Sequence, residues 1–507
     1  MSAAARHRKR VAPTPPAGPR EWPWIVIPVL VGAALRIGEA LRHSGLTMDS
    51  PLYVRMAEAL ARGRAPALGP AHYGYSALVA LAGALIPGRE WPGRTVSLIA
   101  SVALVGLVFR LARTRLSAPW AGLAAMLVAL HPLLIVYGST IMTEPTFLAL
   151  IVAALLLLER RRFGVAGLAF GAGYLVRPEA AVIALGGLAS GRVGLRGAAA
   201  MLLGIALLVV PYLGWMRIEH GTWEITPKVA LLRPQFHSVR EAEWRLADEA
   251  ARAREPKSLA ERLKWAAPSI SANYLPLLRE HLWLLVQAWS WPLVLLSLGG
   301  LLAWRGPVLT PLVLPFVFPL LAIPLDMRFM QSCLPTLALS AAGAGATMVA
   351  RSPAHARAAS GAALSLAVAG VIACWLGQAG RGALAFDDGP MPALRLAGAW
   401  LHAHDPSDAL VMDRKAYVPF FAGMRHLQLP NDDYDSTVEF ALASGARYLV
   451  LEEYASNLRP QMRRLVTDPE FQAQESRLRL VYFRRDEPRT GVAIFEFVQD
   501  STAGTRP

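Results

Sequence analysis

Few residues in this 507-residue chain are equipped for chemistry, because only 17% of them are charged. Asp49 stands in Thr47-Met48-Asp49-Ser50-Pro51-Leu52-Tyr53, just past the first long apolar run. Ser50 is a good helix N-cap, Pro51 suits the first helical position, and Gly63 suits the stop. Asp49 is therefore expected at the start of an amphipathic helix lying along a membrane surface. The helix dipole favours its ionised form, and such a carboxylate can take a proton from an attacking hydroxyl. The plainer alternative is that Asp49 only helps to cap that helix. Glu144, in Met142-Thr143-Glu144-Pro145, opens a later apolar run, with Thr143 as a cap candidate. A carboxylate at membrane depth is costly and commonly functional, so Glu144 is a second catalytic candidate beside a capping role. It would face Asp49 across a cavity.

The basic candidates are Arg177, Arg328 and Lys228. Arg177-Pro178-Glu179 interrupts an apolar stretch, Arg328 follows Asp326, and Lys228 lies in the mixed segment Trp223–Pro234. Cations at a membrane interface suit an anionic lipid head group. Snorkelling or a structural pair with a carboxylate explains each one singly as well. Tyr53, His72 and Tyr73 are candidates for lining a substrate cavity. For His72 and Tyr73 an interfacial aromatic belt is the simpler account. His72 with Glu144 would make too sparse a metal site. Cys333 and Cys374 fall in apolar runs and read as packing residues, with no disulfide.

These groups need a scaffold, and the composition supplies it. Hydrophobic residues make up 54% of the chain, in runs of the roughly 20 residues that span a bilayer. About eleven spans are expected, near 23–41, 95–112, 118–137, 144–158, 164–177, 179–190, 197–216, 281–303, 307–324, 329–349 and 358–378. The basic start, Arg6 to Arg10, and the arginines of alternate short loops put the N-terminus in the cytoplasm. The net charge of +15 is thus the positive-inside signature, and nucleic acid is not expected as a partner. Residues 1–22 form the cytoplasmic start and 23–379 the membrane domain, with large outside loops at 42–94 and 217–280. Within the first loop, His72–Pro87 reads as an interfacial or half-inserted helix, since a further span there would invert the arginine pattern.

Residues 380–507 read as a small outside α/β domain. Ala393–Ala403 is helix-like, and Asp435 is the expected cap of a helix that Gly445 stops. Ala409–Met412, Tyr448–Leu451, Leu478–Phe483 and Val492–Phe497 are strand-like. No nucleotide-binding glycine loop and no Ser/His/Asp signature stands out.

In order, these elements resemble the bacterial family 39 glycosyltransferases of the GT-C superfamily. Those are relatives of the dolichyl-phosphate-mannose:protein mannosyltransferases and of the lipid A aminoarabinose transferases. The resemblance runs through Arg36, Asp49–Tyr53, Ala129-Leu130-His131-Pro132, Thr143-Glu144-Pro145 and Leu175-Val176-Arg177-Pro178-Glu179. It continues in Arg328-Phe329 with Leu334-Pro335, and in Gly445-Ala446-Arg447-Tyr448 of the tail. Two departures stand out: Ser50 where many relatives carry a second acid, and Phe329 where they carry Tyr. The resemblance implies a polytopic α-helical GT-C fold in the inner membrane of a bacterium. It implies a sugar carried on a polyprenyl phosphate, an acceptor hydroxyl on a lipid, glycan or protein, and Asp49 as the catalytic carboxylate. Glu144 would support Asp49 or bind a metal, so a divalent metal stays open as a cofactor. Arg177, Arg328 and Lys228 would neutralise the departing phosphate. The rival is a transporter or flippase of lipid-linked sugars, which would place ionisable groups near the bilayer midplane and often show internal repeats. No repeat is found. A scaffold whose tail binds a partner is the third alternative.

Overall fold

The computed structural model describes residues 21–43, 46–47, 49–66, 71–221, 259–301, 304, 306–321, 326–380, 391–430, 432–453, 459–486 and 491–498. The membrane part opens with α1 (Trp22–Arg42), α2 (Ser50–Ala61), α3 (Gly74–Gly83), α4 (Trp91–Ala112) and α5 (Ala118–Leu130). It continues with α6 (Pro132–Ser139), α7 (Thr143–Glu159), α8 (Phe163–Val176), α9 (Glu179–Ala189) and α10 (Leu195–His220). After the undescribed stretch come α11 (Leu259–Trp289), α12 (Trp291–Leu301), α13 (Leu334–Arg351) and α14 (Arg357–Gly380).

This is a multi-pass membrane fold, in which the eleven spans expected are not confirmed as a count. Among the described residues, five helices are long and apolar enough to cross, or up to seven if each of two bent pairs is one span. The bends are 59° between α5 and α6, and 102° between the end of α11 and α12. Apolar runs are longer than the helices that fit in them. Prolines and the Arg177-Pro178 break cut them into pieces such as α8, of 14 residues, and α9, of 11. The expected interfacial segment His72–Pro87 holds α3, whose ten residues are too short to span. Of the two cysteines, Cys333 is buried as expected, whereas Cys374 lies exposed on α14, facing outward from the bundle.

The α5–α6 bend has a chemical cause. Pro132 has no N–H, so the Val128 carbonyl loses its partner four residues on. Arg36 of α1 replaces it: Nη2 donates to the Val128 carbonyl at 3.2 Å and Nη1 to the Ala129 carbonyl at 2.9 Å. Its Nε donates to Ser101 Oγ of α4 at 2.5 Å, and the side chain is fully buried. The bend sends α6 back toward α2. There Ser50 Oγ donates to the Ile141 carbonyl at 3.0 Å, and Glu144 follows in the first turn of α7. Close helix contacts rest on small residues, as is usual in membranes. A Cβ on Gly74 would stand 2.5 Å from the Leu175 carbonyl oxygen, so this glycine brings the start of α3 against the segment leading to Arg177.

The tail holds α15 (Met391–His404), β1 (Leu410–Asp413), α16 (Tyr417–Ala422), β2 (Arg425–Gln428), α17 (Tyr434–Ala443), β3 (Tyr448–Glu452), α18 (Pro469–Gln474), β4 (Leu478–Arg484) and β5 (Val492–Phe497). The strand order is β2-β1-β3-β5-β4. β1 is parallel to β2 and β3, while β5 is antiparallel to β3 and β4. Two readings change. The cap of α17 is Asp433, whose side chain accepts the Ser436 N–H, and not Asp435. β2 was not expected, because an edge strand reading Arg-His-Leu-Gln has no apolar face to announce it.

The parallel neighbours β1 and β3 both end in a buried acid, Asp413 and Glu452. Burial pushes both carboxyls up from the ordinary range, and the charge of Glu452 pushes Asp413 further. Arg414 and Lys415 act in the opposite sense. A carboxyl raised by folding contributes stability at low pH, and that stability is lost as pH rises through its folded value. Asp413→Asn fixes the neutral form. The variant's tail should therefore melt higher than wild type at pH 8, with the gap closing toward pH 4, when followed by heat-pulse proteolysis of the full chain. A lower midpoint at pH 8 would contradict this account.

Candidate active site

Asp49 occupies the N-cap position of α2, yet its side chain makes no capping hydrogen bond. The expected cap, Ser50, is instead buried and turned toward Ile141. Asp49 is thus the N-cap of α2 by position but not by a side-chain hydrogen bond. Its Oδ2 meets Arg328 Nη1 at 2.7 Å, across 279 residues of sequence. Arg328 is held by a second acid: Asp326 Oδ2 lies 3.2 Å from its Nε, and Asp326 Oδ1 accepts the Arg328 backbone N–H. The Asp49 and Arg328 side chains keep 27% and 25% exposure, so a ligand can reach this pair.

The second carboxylate sits in a different setting. Glu144 Oε1 takes Arg177 Nη1 at 2.5 Å, and Arg177 Nη2 reaches Glu179 Oε1 at 2.9 Å. Thr143 Oγ1 links Glu144 and Arg177 with bonds of 3.2 and 3.3 Å. The Arg177 and Glu144 side chains are only 8% and 5% exposed. Arg177, expected to hold phosphate, has both arms of its fork on buried carboxylates. Phe329 lies between the two clusters, 4.9 Å from the Arg328 guanidinium and 5.4 Å from that of Arg177. Both distances are within cation–π range.

Tyr53, in the first turn of α2, feels the charges of both clusters. Its hydroxyl is pushed up by burial, then by the charges of Asp49 and Glu144, while Arg328 and Arg177 oppose them. Tyr53 is held edge-on to Tyr75, with ring centroids 5.4 Å apart. His72 and Tyr73 belong elsewhere. His72 packs on Tyr174 and Tyr212, and Tyr73 packs on Trp215 and shares a 3.2 Å hydrogen bond with His220. They form a buried aromatic cluster where the start of α3 meets α8 and α10. Lys228 lies outside the described residues.

Asp49 and Glu144 are each neutralised by a guanidinium, and among the described residues no three His, Cys, Asp or Glu side chains converge.

Nothing in the order of residues pointed to contacts between the tail and this site. Arg55 of α2 donates to the Met424 carbonyl at 3.0 Å. Arg89 pairs with Glu58 of α2 at 2.6 Å, donates to the Phe420 carbonyl, and lies over the Phe420 ring. Arg395 of α15 pairs with Glu90 at 3.0 Å. Helix α2, which carries Asp49, is thus held from above by α16. Such surface arginines show no pattern in sequence; the signal is wholly long-range.

The helical bundle and α/β tail together are a fold of the GT-C type. Residues 73–216 match the model of the dolichyl-phosphate-mannose-protein mannosyltransferase family. The structure is similar to that of ArnT from Cupriavidus metallidurans bound to undecaprenyl phosphate, with a TM-score of 0.55 at 13% identity over 96% of this chain and 99% of that one. Apo ArnT gives 0.56 at 14% identity, over 94% and 98%. The Archaeoglobus fulgidus oligosaccharyltransferase in its apo form gives 0.52 at 13% identity, over 96% of this chain and 75% of that one. At such identities the likeness is one of fold. No curated protein matches the sequence.

Proposed function

We propose that this protein transfers a sugar from a polyprenyl-phosphate donor to a hydroxyl of a lipid, glycan or protein acceptor. The reading places this reaction at the outer face of a bacterial inner membrane. The observation that carries it is the reachable Asp49–Arg328 pair, a carboxylate and a guanidinium in direct contact. A similar fold is seen with undecaprenyl phosphate in ArnT, and tethered to an acceptor peptide in the archaeal oligosaccharyltransferase at a TM-score of 0.54.

In this reading the acceptor oxygen attacks the anomeric carbon and the bond from that carbon to the phosphate oxygen breaks. The acceptor proton passes to Asp49, and Arg328 stabilises the lipid phosphate as its charge builds. Glu144 does not touch the reacting atoms. With Arg177 it fixes the floor beneath Tyr53. Arg328 cannot hold Asp49 and the phosphate equally well, so donor binding draws the guanidinium away and frees the carboxylate.

The test is mass spectrometry of envelope lipids and glycoproteins from a deletion strain. One sugar should disappear, return with the wild-type gene, and stay absent with Asp49→Asn. An unchanged envelope would remove the proposal. Orientation is checked separately. Reporters fused after Arg115 or Arg162 should be cytoplasmic, and one after Gly380 should be outside, because the short basic loops face the cytoplasm. An outside signal at Arg162 would invert the topology.

A further inference from the structure

One crevice lies apart from the chemistry above. Arg89, Glu90 and Trp91, at the entry to α4, and Arg395, Phe420 and Phe421 of the tail line a space of about 380 Å³ that opens to solvent. Pockets of roughly 300–1,000 Å³ commonly hold small ligands. The charges here cancel. Arg395 pairs with Glu90, and Arg89 pairs with Glu58. A phosphate would have to compete with both carboxylates, and an acyl chain would lie against charged groups. What the crevice leaves on offer is chiefly Trp91, 43% exposed, with Arg94 over one side of its ring at 5.3 Å; Phe421 is half-buried and carries the Arg395 guanidinium over its ring at 4.8 Å, beside Glu90. A pyranose ring has a complementary surface. Its C–H face stacks on an aromatic ring while its hydroxyls meet carboxylate and guanidinium.

The crevice is also well placed. Arg89 is anchored on Glu58, nine residues beyond Asp49 on the same helix. At 1.5 Å per residue that is about 13 Å along the axis, the reach of a short saccharide. We propose that this crevice is an acceptor subsite for a neutral saccharide, so that the hydroxyl presented to Asp49 belongs to a glycan or glycolipid. The inference rests on the transferase reading and narrows its acceptor class.

The experiment measures binding, not turnover. The full-length chain in detergent is tested by saturation-transfer NMR against neutral oligosaccharides of glucose, galactose, mannose and N-acetylglucosamine. Inorganic phosphate and phosphatidylglycerol vesicles serve as anionic probes. At least one neutral oligosaccharide should bind. Trp91→Ala should weaken it tenfold or more, and Trp91→Phe should keep it. The proposal is overturned if no neutral saccharide binds, if Trp91→Ala binds as wild type does, or if only the anionic probes compete at Trp91. Failure of the transferase reading looks different: saccharide binding would persist while the deletion strain lost no sugar.

Discussion

Asp49→Asn is expected to reach wild-type levels in the membrane and to lose transfer by roughly 10²–10⁴-fold, the usual size of a general-base contribution. The side chain makes no capping bond, so α2 loses nothing at its start. Arg328 keeps Asp326 as a partner, so the local charge is not left bare. What disappears is a group that can accept a proton. Donor binding should hold or tighten, because Arg328 no longer has Asp49 to release. Turnover and donor affinity, measured on the same membranes with protein levels as control, decide the matter. An abundant variant with normal turnover would remove Asp49 from the chemistry.

Arg177→Ala is expected to act on the fold. It would strand Glu144 and Glu179 as buried, unpaired charges, and breaking a buried pair in this way costs roughly 3–5 kcal/mol. The variant should extract poorly and melt much lower in detergent. Glu144→Gln and Glu179→Gln, added to it, should recover part of the loss, because the stranded charges are then gone. A stable Arg177→Ala protein with weakened donor affinity would restore Arg177 as a phosphate ligand.

The sequence made Asp49 legible, because Ser-Pro after an apolar run marks a helix start whatever surrounds it. It could not tell that Ser50 turns to Ile141, 91 residues away, leaving the capping position to an acid with other business. Arg177 and Glu179 are near neighbours and legible as a pair. Glu144, 33 residues from Arg177, is not, although it takes the other arm of the same guanidinium. The tail strands announced themselves by apolar runs, and the one missed, β2, is polar and at an edge. The hold of Arg55 and Arg89 on α16 spans more than 300 residues and leaves no local trace.

Arg36 has a consequence for how the chain is made. Synthesis runs from the N-terminus, and the carbonyl of Val128 that receives its guanidinium lies 92 residues downstream. When α1 emerges, its cation has no counterpart on α5, and a lone arginine in a membrane helix costs roughly 2.5–3.5 kcal/mol on insertion scales. The helix that opens the protein is therefore not a finished unit when it leaves the ribosome. It becomes at home in the bilayer only when the proline-broken hairpin arrives to receive it, so α1 through α6 assemble as one cooperative block. A nascent chain halted before Pro132 should leave α1 loosely held beside the insertion machinery.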